Sequence, residues 1–205
     1  SIGQVHKAEY KNLKLAVKVQ YHGVALSVKS DLKLIKPIAM RLLKLKDTEI
    51  KQYLQEIEDR LIEETDYVLE LKQSIEISKA CNKLEGVNFP KYYPEFSSDK
   101  IITMSWLDGK HLNEFLKDNP SQKTRNLIGQ RLWKFFDFQV NELNAIHADP
   151  HPGNFLFNDD GTIGIIDFGC VKRIPHEFYL NYFQLLNPKY QNDDALLEQL
   201  FYKLE

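Results

Sequence analysis

The stretch IHADPHPGNFLF, at residues 146–157, constrains the fold of this chain more than any other. Pro150 and Pro152 exclude a regular helix here, because proline lacks the amide hydrogen and its ring clashes with the preceding turn. A long amphipathic segment precedes the stretch and an apolar segment follows it, so the chain must turn between a helix and a strand. The turn contains two histidines, an aspartate and an asparagine, whose side chains can bind metal ions, and the histidines and the aspartate can also transfer protons.

Three kinds of site use such a loop: a metal site, a hydrolytic centre and a phosphate-handling loop. His147 and His151 are four residues apart, which suits two metal ligands on one helix face, but the prolines exclude that helix. The sequence has no HExxH motif, its two cysteines are far apart, and it has no GxSxG turn for a serine nucleophile. The phosphate-handling loop is therefore the favoured interpretation.

Residues on both sides of the loop support this interpretation. Asp149 precedes Asn154 by five residues, and the sequence DFG at 167–169 directly follows an apolar strand. Upstream, Lys18 lies within the predicted strand AVKVQ. A strand lysine, an Asp…Asn loop and a DFG sequence, in this order, are typical of kinase-type phosphoryl transfer.

Each of these residues has a chemical role in such a site. Lys18 would neutralise phosphate oxygens, and Asp167 would bind Mg²⁺, which prefers hard oxygen ligands. Asn154 would offer the metal a neutral oxygen, and Asp149 would orient the nucleophile or an attacking water. The predicted metal ligands are Asn154 and Asp167. The predicted catalytic residues are Asp149 and Lys18, and the predicted cofactors are ATP and Mg²⁺.

Hydrophobic periodicity predicts strands first, then helices, strands, and helices around one small hairpin. The predicted strands are residues 4–10, 13–21, 91–96, 100–107 and a pair around the turn at 158–161. Lys11 and Asn12 are predicted to form a hairpin turn between the first two strands. The predicted helices are residues 26–46, 49–83, 111–118, 122–147 and the chain from 175 onwards. This order predicts an α+β fold. The aromatic residues between 178 and 202 are expected in the core of the helical part, or partly exposed if the chain is cut short.

Composition narrows the class of protein. With 205 residues, of which 43% are hydrophobic and 27% charged, the chain is typical of a globular domain. The net charge of -2 gives no reason to expect a nucleic-acid partner, and two cysteines favour a reducing compartment. No apolar run approaches the roughly 20 residues of a membrane span. The start at Ser1 suggests a fragment of a longer chain, from which membrane segments could be missing.

Five stretches of the sequence resemble the UbiB-type atypical protein-kinase-like family, which is linked to ubiquinone and isoprenoid-lipid metabolism. The stretches are SIGQVHKA (1–8), LAVKVQ (15–20), EETDYVLE (63–70), HADPHPGN (147–154) and IDFG (166–169). The resemblance implies a bilobal protein-kinase-like fold with a small mixed N-lobe and a mainly helical C-lobe. It implies one domain over residues 1–205, with the N-lobe at about 1–104, the hinge at about 105–109 and the C-lobe at about 110–205. The domain is expected to be truncated at the N-terminus, and truncation at the C-terminus stays open.

The resemblance also assigns residues to a nucleotide site. Gly3 and Val5 would belong to the end of the loop that covers ATP, and the backbone from Ser105 to Leu107 would bind adenine. The residues predicted to bind the nucleotide are Ile2, Gly3, Val5, Ala16, Lys18, Glu64, Asp66, Glu70, Ser105 and Leu107. A KxGQ motif that the family carries would lie upstream of Ser1.

The acidic residues of the stretch 63–70 match a family motif followed by a glutamate. Glu64 and Asp66 match the ExD motif, and Glu70 matches the glutamate. If the predicted helix is continuous, Asp66 and Glu70 lie about 40° apart on one face. We therefore expect Glu70 to form an ion pair with Lys18. Asp66 and Glu64 are expected near the metal and the phosphates.

The expected function is an atypical kinase or ATPase that binds Mg-ATP and acts in quinone or isoprenoid-lipid biosynthesis or handling. The expected partner is a lipid or a quinone precursor, and nucleic acid is not expected. The expected location is the cytoplasm, with peripheral contact at the inner face of a membrane. Two alternatives stay open: a small-molecule kinase of the aminoglycoside or choline type, and a pseudokinase-like scaffold that binds nucleotide without turnover.

Overall fold

A computed structural model describes residues 2–24, 34–35, 54–55, 57–59, 61–62, 64–191 and 193–204. Most of the predicted helix 26–46, and much of the predicted helix 49–83 up to residue 63, lies outside the described residues.

The described elements follow the predicted order of strands and helices except over residues 91–96. The strand predicted there is wrong: Tyr92 forms an isolated bridge with Met104, and Pro94–Phe96 is a 3₁₀ helix. The strands are β1 (Gly3–Tyr10), β2 (Leu13–Gln20), β3 (Val87–Asn88), β4 (Ile101–Ser105), β5 (Ala145–His147), β6 (Phe155–Phe157), β7 (Ile163–Ile165) and β8 (Val171–Arg173). The α-helices are α1 (Tyr67–Cys81), α2 (Leu112–Lys117), α3 (Gln122–Phe138), α4 (His176–Gln184), α5 (Pro188–Gln191) and α6 (Asp194–Tyr202). Short 3₁₀ helices lie at Pro94–Phe96 and Pro152–Asn154, and a π-helix lies at Gln139–Leu143.

The N-terminal sheet has three strands in the order β1-β2-β4, with antiparallel pairing throughout. Lys11 and Asn12, at the predicted hairpin turn, both have positive φ, 47° and 64°. Positive φ at both central residues matches the twist of a two-residue hairpin, so the turn joins β1 and β2 without splaying them. The pairing places Lys18 opposite Val5 on one side and opposite Ile102 on the other.

The C-terminal part contains two small sheets beside the helices. β7 lies between β3, with which it is parallel, and β6, with which it is antiparallel, while β5 pairs antiparallel with β8. Every residue of β6 and β7 is buried. Phe115 of α2 and Ile128 and Phe135 of α3 belong to the same hydrophobic cluster as these strands. The loop between β5 and β6 is therefore anchored at both ends.

Helix α1 connects the two hydrophobic clusters that the described residues form. Its buried residues follow each other at intervals of three and four, which places them on one helical face. Tyr67 packs in the N-terminal cluster with Ile102 and Met104, and Ile77 and Cys81 pack in the C-terminal cluster. The fold is thus the predicted α+β, bilobal class, with a strand-rich N-terminal part and a mainly helical C-terminal part.

The helix predicted over residues 122–147 ends earlier than expected. α3 ends at Phe138, the π-helix follows, and Asn144 adopts a left-handed conformation with φ of 49° that stops the helix. The structure replaces the last part of the predicted helix by β5. The apolar repeat continues to Ile146 because β5 also carries apolar residues, so periodicity alone could not locate the helix end.

The C-terminal helices expose aromatic residues. Phe178, Tyr182 and Tyr202 are 40%, 51% and 68% exposed. Of the two alternatives stated for the aromatic residues of 178–202, core or exposure, these three are exposed. Leu200 is the buried residue of α6. In the described part of the chain, every helix is too short or too polar to cross a bilayer.

Candidate functional site

Strand β2 presents Lys18 to helix α1. Ala16, Lys18 and Gln20 alternate along the strand, so their side chains share one face. The Gln20 amide nitrogen donates to the Thr65 carbonyl at 2.7 Å, which holds β2 against the start of α1. The Lys18 ammonium donates to Glu70 Oε1 at 2.6 Å. The predicted ion pair between Lys18 and Glu70 is therefore present.

The Lys18 ammonium also contacts Asp167, with 3.1 Å between Nζ and Oδ2. The other carboxylate oxygen of Asp167 accepts the Gly169 amide at 2.8 Å. Between them, Phe168 is fully buried and stacks on Phe89, with ring centroids 5.8 Å apart. The buried phenylalanine anchors the DFG stretch, and this anchoring directs Asp167 towards Lys18.

Lys18 and Glu70 form a buried ion pair, since each is 6% exposed. Burial opposes the charge of Lys18, but attraction and hydrogen bonds from Glu70 and Asp167 outweigh burial, so the pKa of Lys18 is raised. Burial raises the pKa of Glu70 to about 7; Lys18 opposes this shift and Asp167 adds to it. One cation thus faces two carboxylates, and a divalent cation would be attracted to the side of Asp167.

The loop between β5 and β6 carries Asp149 and Asn154. The Asn154 amide nitrogen donates to the Asp149 carbonyl at 3.0 Å and to its Oδ2 at 3.1 Å. The nitrogen makes both bonds, so the amide oxygen of Asn154 is the atom that can bind a metal. The five-residue spacing of the sequence therefore brings the two side chains together, as a shared site requires.

His147 connects this loop to the DFG stretch. The Asp149 amide donates to His147 Nδ1 at 3.2 Å, and His147 Nε2 lies 2.7 Å from the Asp167 carbonyl oxygen. Because Nδ1 accepts, Nε2 carries the hydrogen and donates to that carbonyl. His147 thus braces the loop against the DFG stretch.

Gln139 supports His147 and was missed by the sequence reasoning. Its side-chain oxygen accepts the His147 amide at 2.6 Å, and its nitrogen donates to the Phe135 carbonyl at 3.3 Å. The side chain is buried, so these bonds satisfy a polar group that water does not reach. Gln139 interrupts the apolar stripe of the predicted helix, and a polar residue at such a position could have been identified from the sequence.

These residues surround a polar cavity of about 80 Å³. Its lining residues are Ile2, Lys18, Glu64, Glu70, His147, Asp149, Asn154, Asp167, Gly169 and Cys170. The volume corresponds to roughly two or three water molecules, which suits a metal ion with phosphate oxygens, and the rest of a nucleotide would lie outside it. A larger apolar cavity of about 540 Å³ lies behind Pro150 and Pro152 and has no carboxylate among its described lining residues.

The donor set of the polar cavity fits Mg²⁺. Among the described residues, no group of three or more His, Cys, Asp or Glu side chains could hold a metal ion by itself. Mg²⁺ is usually bound through one or two carboxylates together with substrate phosphates and waters. Asp167 and Asn154 supply one carboxylate and one amide oxygen, which is the contribution that such a site takes from the protein.

Asp66 is not among the residues that line this cavity. It is the N-cap of α1, where its Oδ1 accepts the Leu69 amide at 2.9 Å. Residues 64 and 65 form a turn, so the helix predicted over 49–83 is broken directly before α1. The helical-face argument that placed Asp66 beside Glu70 is therefore wrong, although Glu64 does line the cavity.

Two of the three backbone amides of the predicted hinge already have partners. The Ser105 amide donates to the Lys91 carbonyl at 2.8 Å, and the Ser105 hydroxyl accepts the Lys91 amide at 2.9 Å. The Trp106 amide donates to the Lys14 carbonyl. Among the described residues none accepts the Leu107 amide, so this amide is available as a donor. Adenine binding by the backbone from Ser105 to Leu107 stays a prediction.

The remaining predicted nucleotide residues lie around β1 and β2. Gly3 and Val5 are on β1, where Val5 is 57% exposed. Ala16 is buried opposite Met104, and Ile2 lines the polar cavity. The strand that would cover a nucleotide is thus paired with β2, with Val5 opposite Lys18.

A two-lobed α+β fold, with a strand lysine paired to a helix glutamate and facing a DFG aspartate, defines the class of kinase-like proteins. A family model described as the ABC1 atypical kinase-like domain matches residues 1–201. The chain belongs to this family, which confirms the resemblance stated from the motifs.

Relatives in plants and fungi match most of the chain. The chloroplastic protein ACTIVITY OF BC1 COMPLEX KINASE 3 of Arabidopsis thaliana is 32% identical over 183 residues, covering 86% of this chain and 26% of the relative. The mitochondrial atypical kinase COQ8 of Saccharomyces cerevisiae is 30% identical over 189 residues, covering 91% of this chain and 37% of the relative. The chain therefore spans between a quarter and two fifths of these relatives.

A solved structure has the same fold. The structure of Rv3197 from Mycobacterium tuberculosis, in complex with erythromycin, superposes with a TM-score of 0.73 and 32% sequence identity. The match covers 97% of this chain and 51% of that one.

Proposed function

We propose that this chain is an atypical kinase or ATPase domain that binds Mg-ATP and hydrolyses it or transfers its terminal phosphoryl group. The observation that carries the proposal is the position of Lys18, whose ammonium contacts both Glu70 and Asp167 and faces the loop of Asp149 and Asn154. Membership of the atypical kinase-like family supports this reading over a small-molecule kinase of the aminoglycoside or choline type.

Each polar residue has a distinct task in this proposal. Glu70 holds Lys18, and Lys18 donates to phosphate oxygens. Asp167 and Asn154 would hold Mg²⁺, which supplies positive charge to the phosphates when bound. Asp149 orients the nucleophile, or a water, and accepts its proton. His147 holds the loop in place beside the DFG stretch through its hydrogen bonds to both.

For the substrate, we propose a lipid or a quinone precursor that the protein binds at a membrane surface. It is supported by family membership and by the relative named as the mitochondrial atypical kinase COQ8. The cytoplasmic location expected from the sequence stays a prediction, and the two relatives described above are named as chloroplastic and mitochondrial proteins. ATPase assays with and without anionic-lipid vesicles test this part, and equal rates in both would count against membrane coupling.

Calorimetric titration with Mg-ATP tests the nucleotide site. The wild-type chain should bind, and saturation at 100 times Kd should stabilise the fold by about 2.7 kcal/mol. Asp167→Asn should abolish the Mg²⁺-dependent part of binding, because it removes the charged metal ligand. Asp149→Asn should spare binding and stop phosphate release, because it acts on the nucleophile.

The results of these titrations and assays distinguish the possible functions of the site. Unchanged affinity in Asp167→Asn would refute the metal assignment, and equal loss of binding in both variants would make Asp149 structural. Binding by the wild-type protein without any turnover would favour the nucleotide-binding scaffold.

A further inference from the structure

Tyr67 belongs to the motif EETDYVLE, and the site described above leaves it without a role. It is the first residue of α1 and is fully buried. Its ring centroid lies 5.2 Å from the Lys18 ammonium, which is cation–π distance. The Lys18 ammonium is therefore in contact with three groups: the Glu70 carboxylate, the Asp167 carboxylate and the face of the Tyr67 ring.

An aromatic face suits this position for an electrostatic reason. A lysine that must bind phosphate cannot be held by acidic groups alone, because each added negative charge repels the phosphate. A ring face attracts an ammonium without net charge, and it uses none of the three N–H donors. Burial raises the pKa of Tyr67 to about 12, so the side chain stays neutral at physiological pH.

The Tyr67 hydroxyl has a different environment from the ring. It is buried and makes no hydrogen bond among the described residues. It lies so close to Gly3 that a Cβ there would be 2.4 Å from the hydroxyl oxygen. The ring is thus wedged between Lys18 and the first residue of β1, and the hydroxyl fills the space that the missing side chain leaves.

We propose that Tyr67 is a positioning residue that holds the Lys18 ammonium for phosphate binding through the face of its ring. This inference rests on the proposed function, because it gives Lys18 a phosphate to bind. The ring is the part that acts on Lys18. The hydroxyl, which has no hydrogen-bond partner among the described residues, is dispensable.

A graded series at position 67 tests the ring face without changing its shape. Tyr67→Phe should bind Mg-ATP within about twofold of wild type, because it keeps the ring's electron-rich face. Tyr67→pentafluorophenylalanine has a similar shape but a reversed quadrupole, and we expect its Kd for Mg-ATP to rise about fivefold. Equal Kd values for the two variants would overturn the proposal.

Tyr92 provides the matched control. It is buried in the same hydrophobic cluster as Tyr67, but its ring makes no cation–π contact with Lys18 among the described residues. Tyr92→pentafluorophenylalanine should leave the Kd for Mg-ATP unchanged. A similar weakening at both positions would show that fluorination perturbs packing, and it would refute a specific role for Tyr67.

A second measurement needs no nucleotide. Lys18 can be labelled with an amine-reactive ester in the ligand-free protein and quantified by mass spectrometry against the exposed Lys14. Labelling of Lys18 should be faster in Tyr67→pentafluorophenylalanine than in Tyr67→Phe, because the ammonium is held less firmly. Equal rates would overturn the proposal. Absence of Mg-ATP binding by the wild-type protein would instead refute the proposed function, and the labelling comparison would still decide on Tyr67.

Discussion

Lys18 is a buried cation that depends on the carboxylates around it. Lys18 and Glu70 are both almost inaccessible to water, so each compensates the charge of the other. Removing one partner of a buried pair leaves an uncompensated charge, which costs far more than an exposed pair contributes. The loss of nucleotide binding in any Lys18 variant must therefore be separated from a loss of stability.

We predict that Lys18→Met lowers the free energy of unfolding by about 3 kcal/mol at pH 7 and by less at pH 5. Burial already raises the pKa of Glu70 to about 7, and loss of Lys18 removes the attraction that opposes this shift. A carboxyl with a raised folded-state pKa binds more protons in the folded state, so its contribution to stability increases as the pH falls. Urea denaturation at both pH values measures the difference.

The double variant Lys18→Met/Glu70→Gln is the control for this prediction. It has no titrating group at position 70, so it should recover part of the lost stability at pH 7 and lose most of the pH dependence. An equal deficit at both pH values in Lys18→Met would contradict the assignment to Glu70.

Substitution by alanine should change the stability of the protein in opposite directions at Gly3 and at Gly129. A Cβ at Gly3 would be 2.4 Å from the Tyr67 hydroxyl and 2.5 Å from the Val19 carbonyl oxygen, and the backbone cannot easily yield. Gly3→Ala should therefore destabilise the protein by about 1–3 kcal/mol. Gly129 lies within α3 with open space around it, so Gly129→Ala should stabilise by about 0.5–1 kcal/mol. Thermal denaturation of both variants checks the signs, and destabilisation by both would contradict this account.

At the scale of elements, the start of α1 decides which acidic side chains reach the cavity. The cap at Asp66 turns its carboxylate to the Leu69 amide, and the first turn of the helix then carries Glu70 to Lys18. Glu64 lies before the cap and lines the cavity from the preceding turn. The family motif therefore divides into one helix cap and one cavity residue.

Variants of Asp66 distinguish a role as helix cap from a role in metal binding. Asp66→Ala should lower stability by about 1 kcal/mol, and Asp66→Asn should lower it by much less, because asparagine is also a good N-cap. Neither change should alter Mg²⁺-dependent ATP binding, since Asp66 does not line the cavity. Denaturation and calorimetry together check both parts. Weaker Mg-ATP binding in Asp66→Asn would restore the metal role that the family resemblance implies.

Element ends were the least predictable feature of the sequence. The strand pattern at Lys18 and the hairpin turn at Lys11 and Asn12 were predicted correctly, because alternation and turn chemistry are local properties. The end of α3 was not, because Asn144 can occupy either a helix or a left-handed stop. The choice depends on β5 pairing with β8, which lies further along the chain.

At the scale of the whole molecule, α1 couples the two lobes. It contributes Tyr67 to one hydrophobic cluster and Ile77 and Cys81 to the other, and Lys18 reaches across to Asp167. Because α1 packs in both hydrophobic clusters, unfolding of α1 removes contacts from both clusters at once. The lobes should therefore unfold together.

The two tryptophans of the sequence allow this to be measured. Trp106 lies in the hinge, but its ring packs under Lys7 of β1 and therefore reports on the N-terminal sheet. Trp133 lies on α3 and reports on the helical part. In single-tryptophan variants, Trp106→Phe and Trp133→Phe, the urea midpoints should coincide within error. Adding Ile77→Ala should lower both midpoints together. Two separate midpoints would show that α1 does not couple the lobes.

The sequence by itself determined the class of fold and the polar residues of the site. Lys18, Asp149, Asn154 and Asp167 could be named because each depends on a short local pattern: a strand, a proline-rich turn, or the end of an apolar strand. Glu70 was also identified, from its match to the family motif, although the helical-face argument beside it included Asp66, which caps α1 instead.

Only the tertiary structure decided which of these groups touch and what else touches them. The contacts of the Lys18 ammonium with Tyr67, Glu70 and Asp167 depend on how β2, α1 and the DFG stretch pack against one another. These contacts join residues that are far apart in the chain. Their distances follow from the packing of whole elements, which a local pattern of residues does not contain.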